Sequence, residues 1–454
     1  MHTYHFDRAF LPSGWADDVR VDVADDGMIA AVSAGSSRGG AERIAGIALP
    51  GMPNLHCHAF QRGMAGLAER RGPAGDSFWT WREVMYRFLS VLTPEDVEAI
   101  AAYAYLEMLE TGFTTVGEFH YLHHDPGGRP YADLGEMAAR IAAASAATGI
   151  GLTLLPSLYT FGGFGGAAPN PGQIRFINPT ERFVSLMVRS REIVAKLPNA
   201  RIGIAPHSVR AVSPEQLREV TAIFAEGPVH IHAAEQTKEV DDCVTSLGTR
   251  PVQWLLDELG LDERWCLIHA THMTQDETTQ LAQSGAVAGL CPLTEGSLGD
   301  GIFNGERYLG AGGRFGIGTD SNIQIDAPAE LRQLEYSQRL KARARNVMTR
   351  TEGESTGRSL YTRALSGGAQ ALAQPIGAIA EGHRADIVLL DGEHPDLAGA
   401  SGDMVFDVLV FSAGRSLIGS VIAGGKPVVT GGRHHARERI ANRYRETVSR
   451  LARS

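Results

Sequence analysis

Eight apolar runs alternate with helix-like segments between residues 46 and 321 of this 454-residue chain. Near-continuous apolar strands are typical of a parallel sheet that helices cover. The runs are Gly46–His58, Thr114–Tyr121, Gly151–Tyr159, Arg201–Ser208, Pro228–Glu235, Trp265–His272, Ala286–Leu293 and Phe315–Ser321. Eight strand–helix units predict an α/β fold of the (β/α)8 TIM-barrel type, with a doubly wound open sheet as the alternative. The count of eight and the placement of polar residues favour the barrel.

Three of the intervening segments have clear helical patterns. These are Pro94–Thr111, Pro214–Ala225 and Val240–Leu259. Thr93 and Ser213 are predicted N-caps, because each is followed by a proline at the first helical position.

The two ends of the chain have a different, strand-rich pattern. Near the start, Val19–Ala24 and Met28–Val32 flank the turn Asp25–Gly27, which predicts a hairpin. Near the end, the strand-like segments are Ala385–Asp391, Val405–Phe411, Ser416–Ala423 and Lys426–Thr430. We therefore predict a small β-sandwich domain built from residues 1–46 and 373–432. The barrel would occupy residues 47–372, and a helical tail residues 433–454.

Composition and charge exclude several classes of partner. The chain is 43% hydrophobic and 21% charged, with a formal net charge of −10 and four scattered cysteines. An acidic surface argues against nucleic acid and anionic membranes as partners. The first residues lack a basic region followed by an apolar segment, and no apolar stretch approaches a membrane span of about 20 residues. We expect a cytoplasmic protein with reduced thiols and no membrane partner.

Ionisable side chains cluster at the ends of six of the apolar runs. His56 and His58 are two residues apart, so on a strand they point to the same face and can reach one metal ion. The six ends are His56–His58, Glu118–Tyr121, Pro206–Arg210, His230–Glu235, His269–His272 and Gly318–Ser321. Active sites of such barrels lie at the carboxyl ends of the strands. A single histidine there is usually structural, but six polar strand ends together predict a site.

These strand ends resemble the motifs of the amidohydrolase superfamily, in the order His-x-His, His-x-x-Glu, His and Asp. Within that superfamily the chain is similar to the formimidoylglutamate deiminases of histidine degradation. The matching segments are Asn54–Met64, Phe78–Glu83, Val116–Tyr121, Pro206–Arg210, His232–Gln236 and Gly318–Asn322. The resemblance also includes the split β domain and the late stretch Gly377–Asp391, so it covers nearly the whole chain.

The resemblance implies a metal centre with four protein ligands: His56, His58, His232 and Asp320. Three imidazoles and one carboxylate suit Zn²⁺, although iron and manganese remain possible. Relatives with two metals bridge them through a carboxylated lysine at the end of strand four. Here that strand ends in Ala205–Ser208 without a lysine, which predicts one divalent ion.

The resemblance also implies hydrolysis of N-formimidoyl-L-glutamate to N-formyl-L-glutamate and ammonia, with a metal-bound hydroxide attacking the formimidoyl carbon. Glu235, His269 and Asp320 would be the catalytic residues, with Glu235 moving a proton to the departing nitrogen. The alternative for Glu235 is a carboxylate in the first turn of the following helix. The small dianionic substrate would meet five side chains: Gln61, Arg82, Tyr121, His207 and Arg210.

Several alternatives stay open at this stage. Another deaminase of the superfamily, acting on a purine, pterin or triazine ring, would use the same metal ligands but fewer cations. A catalytically silent barrel serving as a scaffold is the second alternative. A homodimer is implied by the resemblance alone. His230 is predicted to be a core residue, His123 and His124 to be solvated, and the loop Gly296–Gly301 to close over the substrate.

Overall fold

The computed structural model describes residues 1–72 and 75–453. Its first strands are β1 (His2–Leu11), β2 (Gly14–Val23), β3 (Ile29–Ser33) and β4 (Glu42–Pro50). Next come β5 (Met52–Cys57), β6 (Phe113–His120), β7 (Gly151–Leu158), β8 (Arg201–Ile202), β9 (Ala205–Pro206), β10 (Val229–Ala233), β11 (Trp265–His269), β12 (Val287–Leu290) and β13 (Arg314–Ile317). The last are β14 (Ile387–Leu390), β15 (Ile418–Ala423), β16 (Lys426–Thr430) and β17 (Arg433–His434).

Helices fill most of the connections between these strands. They are α1 (Phe78–Leu89), α2 (Pro94–Glu110), α3 (Glu136–Thr148), α4 (Thr180–Val194), α5 (Pro214–Ile223), α6 (Thr237–Leu247), α7 (Pro251–Leu259), α8 (Gln275–Gln283), α9 (Pro292–Leu298), α10 (Gly305–Gly310), α11 (Ala327–Ala342), α12 (Thr356–Leu372), α13 (Met404–Val408) and α14 (Arg437–Leu451). In the part of the chain that the structure describes, none of them is both long and apolar enough to cross a membrane.

Strands β5 to β13 form the predicted barrel. Parallel pairing runs from β5 through β6 and β7 to the split strand β8–β9, and from β10 to β13. Single bridges close the ring: Ser208 pairs with His232, and Cys57 pairs with Asp320. Strands β5, β6, β7, β10 and β11 are buried along their whole length, as parallel strands covered by helices must be. The (β/α)8 fold class is confirmed.

The first and last barrel strands approach each other closely at a glycine. A Cβ built on Gly318 would lie 2.7 Å from the backbone oxygen of His56. Any larger residue there would push β13 away from β5. Because His56 and Asp320 flank this contact, the glycine determines how closely two of the predicted metal ligands can approach.

The two chain ends share one sheet, as predicted. Its strand order is β17-β16-β15-β14-β4-β1-β2-β3, in which only the β1–β4 pair is parallel. The predicted hairpin is confirmed by the antiparallel pairing of β2 with β3. The predicted strand Val405–Phe411 is wrong, because this segment is helical through α13 and a π-helical turn at Leu409–Ala413. A short apolar run buried as a helix cannot be told from a buried strand by its pattern alone.

The predicted helices that begin at Pro94 and Pro214 are confirmed, and the third predicted helix is wrong. Thr93 and Ser213 cap α2 and α5, each accepting a hydrogen bond from the third helical residue. The predicted single helix Val240–Leu259 is two helices. Gly248, with a φ of 76°, ends α6, and Pro251 begins α7, because glycine favours the left-handed cap and proline the first turn. The tail contains α14, and residue 454 of the predicted tail lies outside the described residues.

Candidate metal centre and active site

Four ligand-type side chains meet at the carboxyl end of the barrel. His56 and His58 come from the end of β5, His232 from β10, and Asp320 from the turn after β13. One ligand atom from each lies within 4.8 Å of all the others, and all four residues are buried. The Nε2 atoms of His56 and His58 lie 3.3 and 3.4 Å from the same carboxylate oxygen, Oδ1 of Asp320.

Hydrogen bonds to backbone carbonyls orient two of these imidazoles. Nδ1 of His58 donates to the carbonyl of Phe119 over 2.8 Å, and Nδ1 of His232 donates to that of His207 over 3.0 Å. Each bond leaves the lone pair of Nε2 free. Protein partners usually orient a metal-ligating histidine in this way. Both ring nitrogens of His56 are buried without a hydrogen-bond partner among the described residues. A buried nitrogen without a partner is costly unless something binds it, so the set fits a divalent cation.

The electrostatics favour the same conclusion. Burial lowers the pKa of His56, His58 and His232. At His58 the nearby carboxylate of Asp320 partly opposes this lowering. These imidazoles are therefore neutral, the protonation state in which histidine binds a metal ion.

The backbone at this rim is strained. His269 and Asp320 have φ values of 69° and 43°, and Ala234, Ala270 and Asn322 also have positive φ. Non-glycine residues rarely adopt this conformation, which costs of the order of 1–3 kcal/mol each and concentrates at functional sites. The strain is the cost of turning each strand end so that its side chain faces the centre of the ring.

A proton-transfer pair lies beside the metal ligands. Nε2 of His269 is 3.6 Å from Oε1 of Glu235 and 3.9 Å from Oδ2 of Asp320, while its Nδ1 faces Oε1 of Glu295 at 3.3 Å. Burial opposes a charge on His269, but Glu235, Glu295 and Asp320 together raise its pKa well above the usual value. Burial, reinforced by Asp320, raises the pKa of Glu235, which His269 partly counteracts. With its pKa raised to about 7, Glu235 can gain and lose a proton near neutral pH.

A cavity of about 540 Å³ opens above these groups, and two arginines line it. Arg82 lies on α1, with its guanidinium 4.6 Å from the ring centre of Trp79 and 5.6 Å from that of Tyr86. Arg210 follows the split fourth strand. The Nε atoms of Arg82 and Arg210 are buried without a partner, and neither guanidinium lies within 4.0 Å of a carboxylate in the described part of the chain. Two cationic side chains that line one cavity without forming an ion pair are suited to bind an anion.

The other predicted substrate-binding residues line the same cavity. Nε2 of Gln61 donates to the hydroxyl of Tyr121 over 2.8 Å, and His207 packs against Tyr159 with ring centres 4.5 Å apart. Gln61, Tyr121 and His207 therefore lie on the cavity wall with the arginines. Leu298, from the loop predicted to close over the substrate, lines it as well.

Three further histidines form hydrogen bonds to backbone carbonyls. Nε2 of His230 donates to the carbonyl of Ala371 over 2.7 Å, deeper along β10 than His232. His123 and His124 are buried, donating to backbone carbonyls of Ser157 and Ile177. The expectation that these two are solvated is wrong, because the loop that carries them packs against Arg175, whose carbonyl accepts from both of their backbone amides.

Sequence reasoning missed three polar residues around the site. Glu295 contacts His269, and Asp300 lies with Glu235 and His269 in a second group whose ligand atoms are within 4.8 Å of one another. Asn322 donates to the carbonyls of His58 and Asp320. Asn322 was within a matched motif, but Glu295 and Asp300 lie in and after the short helix α9, where no periodic pattern marks them.

Comparisons with known proteins agree with this geometry. The model of the amidohydrolase family matches residues 47–428, and the model of the N-terminal domain of formimidoylglutamate deiminase HutF matches residues 1–46. Formimidoylglutamate deiminase of Pseudomonas aeruginosa is 50% identical over 446 residues, which is 98% of each chain. The crystal structure of an amidohydrolase from Brucella melitensis covers 100% of both chains, with a TM-score of 0.95 and 51% identity. An adenosine deaminase from Xanthomonas campestris with bound zinc has a TM-score of 0.82 over 100% of this chain and 98% of its own; at 21% identity it shows the fold alone.

Proposed function

The chain belongs to the amidohydrolase family, and on that premise we propose that its cavity hydrolyses N-formimidoyl-L-glutamate to N-formyl-L-glutamate and ammonia, a reaction of histidine degradation. The identity of 50% to a formimidoylglutamate deiminase over nearly the full length supports this assignment. A family model for the N-terminal domain of that enzyme class supports it as well.

One observation of the site carries the substrate assignment. Arg82 and Arg210 line a cavity that also contains three of the four proposed metal ligands, and each has a buried Nε atom without a hydrogen-bond partner in the described chain. Formimidoylglutamate has two carboxylates, and the planar fork of arginine suits that group. A deaminase of flat, uncharged rings would have little use for two arginines on the wall of its cavity.

We propose that one divalent ion, Zn²⁺, is bound by His56, His58, His232 and Asp320. Three neutral imidazoles and a carboxylate are a donor set that suits zinc. When bound, such an ion makes a water molecule acidic enough to act as a nucleophile near neutral pH.

The chain's own residues position the substrate and move its protons. Arg82 and Arg210 bind the two carboxylates and so place the formimidoyl carbon over the rim. Oε1 of Glu235 takes a proton from the attacking water and delivers it to the terminal nitrogen, whose bond to carbon then breaks to release ammonia. Nε2 of His269, held by Glu295 through Nδ1, orients the water from the opposite side.

We also propose domain boundaries, a cellular location and an oligomeric state for this protein. The terminal sheet and the barrel suggest the division into residues 1–46 with 373–432, 47–372 and the tail 433–454. We propose that the protein is a cytoplasmic homodimer without nucleic-acid or membrane partners.

The decisive experiment measures ammonia release from formimidoylglutamate beside guanine, adenosine and cytosine, with and without a chelator. We expect turnover of formimidoylglutamate alone. A chelator should abolish this turnover, and Zn²⁺ should restore it. A preference for one of the ring substrates would contradict the assignment.

A further inference from the structure

A tyrosine outside the five proposed substrate-binding residues also lines the cavity. Tyr159 follows strand β7 and is buried. Its ring packs against the rings of His207 and Phe176, with ring centres 4.5 and 5.6 Å away. These contacts hold the phenol ring in place, so the direction of the hydroxyl hydrogen is its main remaining freedom.

The side-chain amide of Gln173 determines that direction. Its Nε2 donates to the hydroxyl oxygen of Tyr159 over 2.8 Å. Two backbone groups orient the amide: its Oε1 accepts from the backbone amide of Asn170 over 2.9 Å, and its Nε2 lies 3.4 Å from the carbonyl oxygen of Gly162. A backbone amide can only donate and a backbone carbonyl can only accept, so the amide cannot be turned around. The hydroxyl oxygen of Tyr159 therefore accepts from Gln173, and its own hydrogen points away from that residue.

This hydrogen lacks an acceptor within the described part of the chain. The bond from Gln173 is the one hydrogen bond that the hydroxyl of Tyr159 makes there. The guanidinium of Arg210 is nearby: burial lowers its pKa, but the surrounding groups, led by Tyr159, raise it overall. Nε of Arg210 is buried without a partner as well. Because a buried donor without an acceptor is costly, an anion that accepts from both side chains would be stabilised at this part of the cavity wall.

We propose that Tyr159 is a specificity-determining residue whose hydroxyl donates a hydrogen bond to the substrate carboxylate that Arg210 binds. The inference rests on the proposed function, which provides a substrate with two carboxylates. Gln173 acts through Tyr159 and is a positioning residue, because its amide keeps the phenolic hydrogen available for the substrate. A ligand without this carboxylate would leave the hydrogen unpaired, and a site built to form a hydrogen bond discriminates strongly against such a ligand.

Tyr159→Phe tests the contact, because it removes the hydroxyl and keeps the ring. KM for formimidoylglutamate should rise about tenfold, the loss expected for one hydrogen bond to a charged group. We expect kcat to stay within about twofold, since the hydroxyl binds a carboxylate and not the reacting carbon. Steady-state ammonia release by the zinc-loaded enzyme gives both values. Isothermal titration calorimetry with glutarate should show the same tenfold weakening without turnover.

Two truncated substrates distinguish direct contact from support of the fold. N-formimidoyl-γ-aminobutyrate lacks the carboxylate beside the amidine nitrogen, and N-formimidoyl-L-α-aminobutyrate lacks the distal one. With one of them, Tyr159→Phe should still lower kcat/KM about tenfold. With the other, which lacks the carboxylate that the hydroxyl contacts, this loss should disappear. A hydroxyl that only supports the cavity wall would affect both truncated substrates alike.

The matched control is Tyr308→Phe. Tyr308 is also buried, and its hydroxyl donates to the carbonyl of Arg314 over 2.9 Å, at the amino end of β13 and away from the rim. This variant loses a buried hydroxyl but should keep kcat, KM and the affinity for glutarate within about twofold. Urea unfolding of both variants checks their folds. Tyr159→Phe should fold, since Nε2 of Gln173 keeps the carbonyl of Gly162 as an acceptor.

Two results would overturn the inference. An unchanged KM in Tyr159→Phe would exclude the contact, and an equal loss with both truncated substrates would assign the hydroxyl a structural role. Failure of the unaltered protein to hydrolyse formimidoylglutamate would contradict the proposed function instead. In that case, glutarate binding that Tyr159→Phe still weakens about tenfold would support Tyr159 as a carboxylate-binding residue.

Discussion

Nδ2 of Asn322 donates a hydrogen bond to the backbone carbonyl of His58 over 3.0 Å, joining the segment after the last barrel strand to the end of the first. The same nitrogen lies 3.0 Å from the carbonyl of Asp320, and Oδ1 accepts from the hydroxyl of Thr319 over 2.7 Å. One buried amide therefore connects the two segments that carry three of the four metal-ligand side chains.

Replacing Asn322 by alanine should loosen both the barrel closure and the metal centre. The change removes three buried hydrogen bonds, those to the carbonyls of His58 and Asp320 and the one from Thr319, which should lower the free energy of unfolding by about 3 kcal/mol. Urea unfolding and metal content after dialysis against a chelator measure the two effects. Asn304→Ala is the control, because Asn304 makes similar amide bonds to Met273 and Thr278 away from the ligands. Equal metal loss in both variants would contradict a local role for Asn322.

His232→Ala should remove the metal, whereas His230→Gln should keep it. These histidines are two residues apart on β10, but only His232 belongs to the ligand group, and glutamine can replace the bond from His230 to Ala371. We expect about one ion per chain in the unaltered protein and in His230→Gln, and close to none in His232→Ala. Elemental analysis of the purified proteins decides the matter. Full metal content in His232→Ala would exclude His232 as a ligand.

Arg82→Ala and Arg210→Ala should each lower kcat/KM for formimidoylglutamate about 100-fold, or about 3 kcal/mol, because each removes charge-assisted hydrogen bonds in a desolvated cavity. Arg218→Ala is the matched control, since Arg218 is half-exposed and pairs with Glu258 on the surface. Steady-state ammonia release gives the three values. Near-normal turnover by both cavity variants would show that neither arginine binds a carboxylate of the substrate.

Glu235→Gln should lower kcat by about 10²- to 10⁴-fold, because the amide cannot carry the proton to the departing nitrogen. Metal content should stay unchanged, since Glu235 is not one of the four clustered ligand residues. Glu295→Gln should reduce kcat less and shift the pH profile, because Glu295 contacts the site through Nδ1 of His269. An unchanged kcat in Glu235→Gln would assign proton transfer to another group.

Stability should depend on pH through Glu118. Burial raises the pKa of its carboxyl to about 7, although the backbone amide of Ala59 and the hydroxyl of Tyr105 donate to it. The stabilisation from protonated Glu118 is fully present below about pH 4.5 and is lost as pH rises through about 7, which amounts to at most about 3 kcal/mol. Urea unfolding of Glu118→Gln between pH 5 and 8 should therefore show a flatter profile. If the stability of Glu118→Gln changes with pH as steeply as that of the unaltered protein, Glu118 is not the source of the pH dependence.

The placement of polar residues at strand ends could be predicted from the sequence because it depends on two general rules of strand geometry. Side chains two residues apart on a strand share a face, and the carboxyl ends of barrel strands share a rim. These rules placed six polar strand ends at one rim, and the resemblance to the amidohydrolase superfamily implied His56, His58, His232 and Asp320 as ligands. The structure places these four within one ligand cluster. The same rules separate His230 from His232 only by depth along β10, which is why its role stayed open until the bond to Ala371 was seen.

Where a sequence pattern fits two kinds of local structure equally well, the sequence alone could not predict which one forms. The segment Val405–Phe411 is apolar enough for a strand or a buried helix, and its burial beside α12 makes it a helix. His123 and His124 look like loop residues, but the segment ending at Arg175 covers them.

By itself, the sequence determined the barrel, the shared sheet of the two chain ends, and the strand ends that carry ionisable groups, because these follow from hydrophobic periodicity and chain order. Only the tertiary structure decided that Glu295 supports His269, that Asp300 faces Glu235, and that Arg82 and Arg210 share one cavity. Those relationships join residues up to 128 positions apart in the chain, and no local pattern encodes the closeness of side chains that only the packing of distant segments brings together.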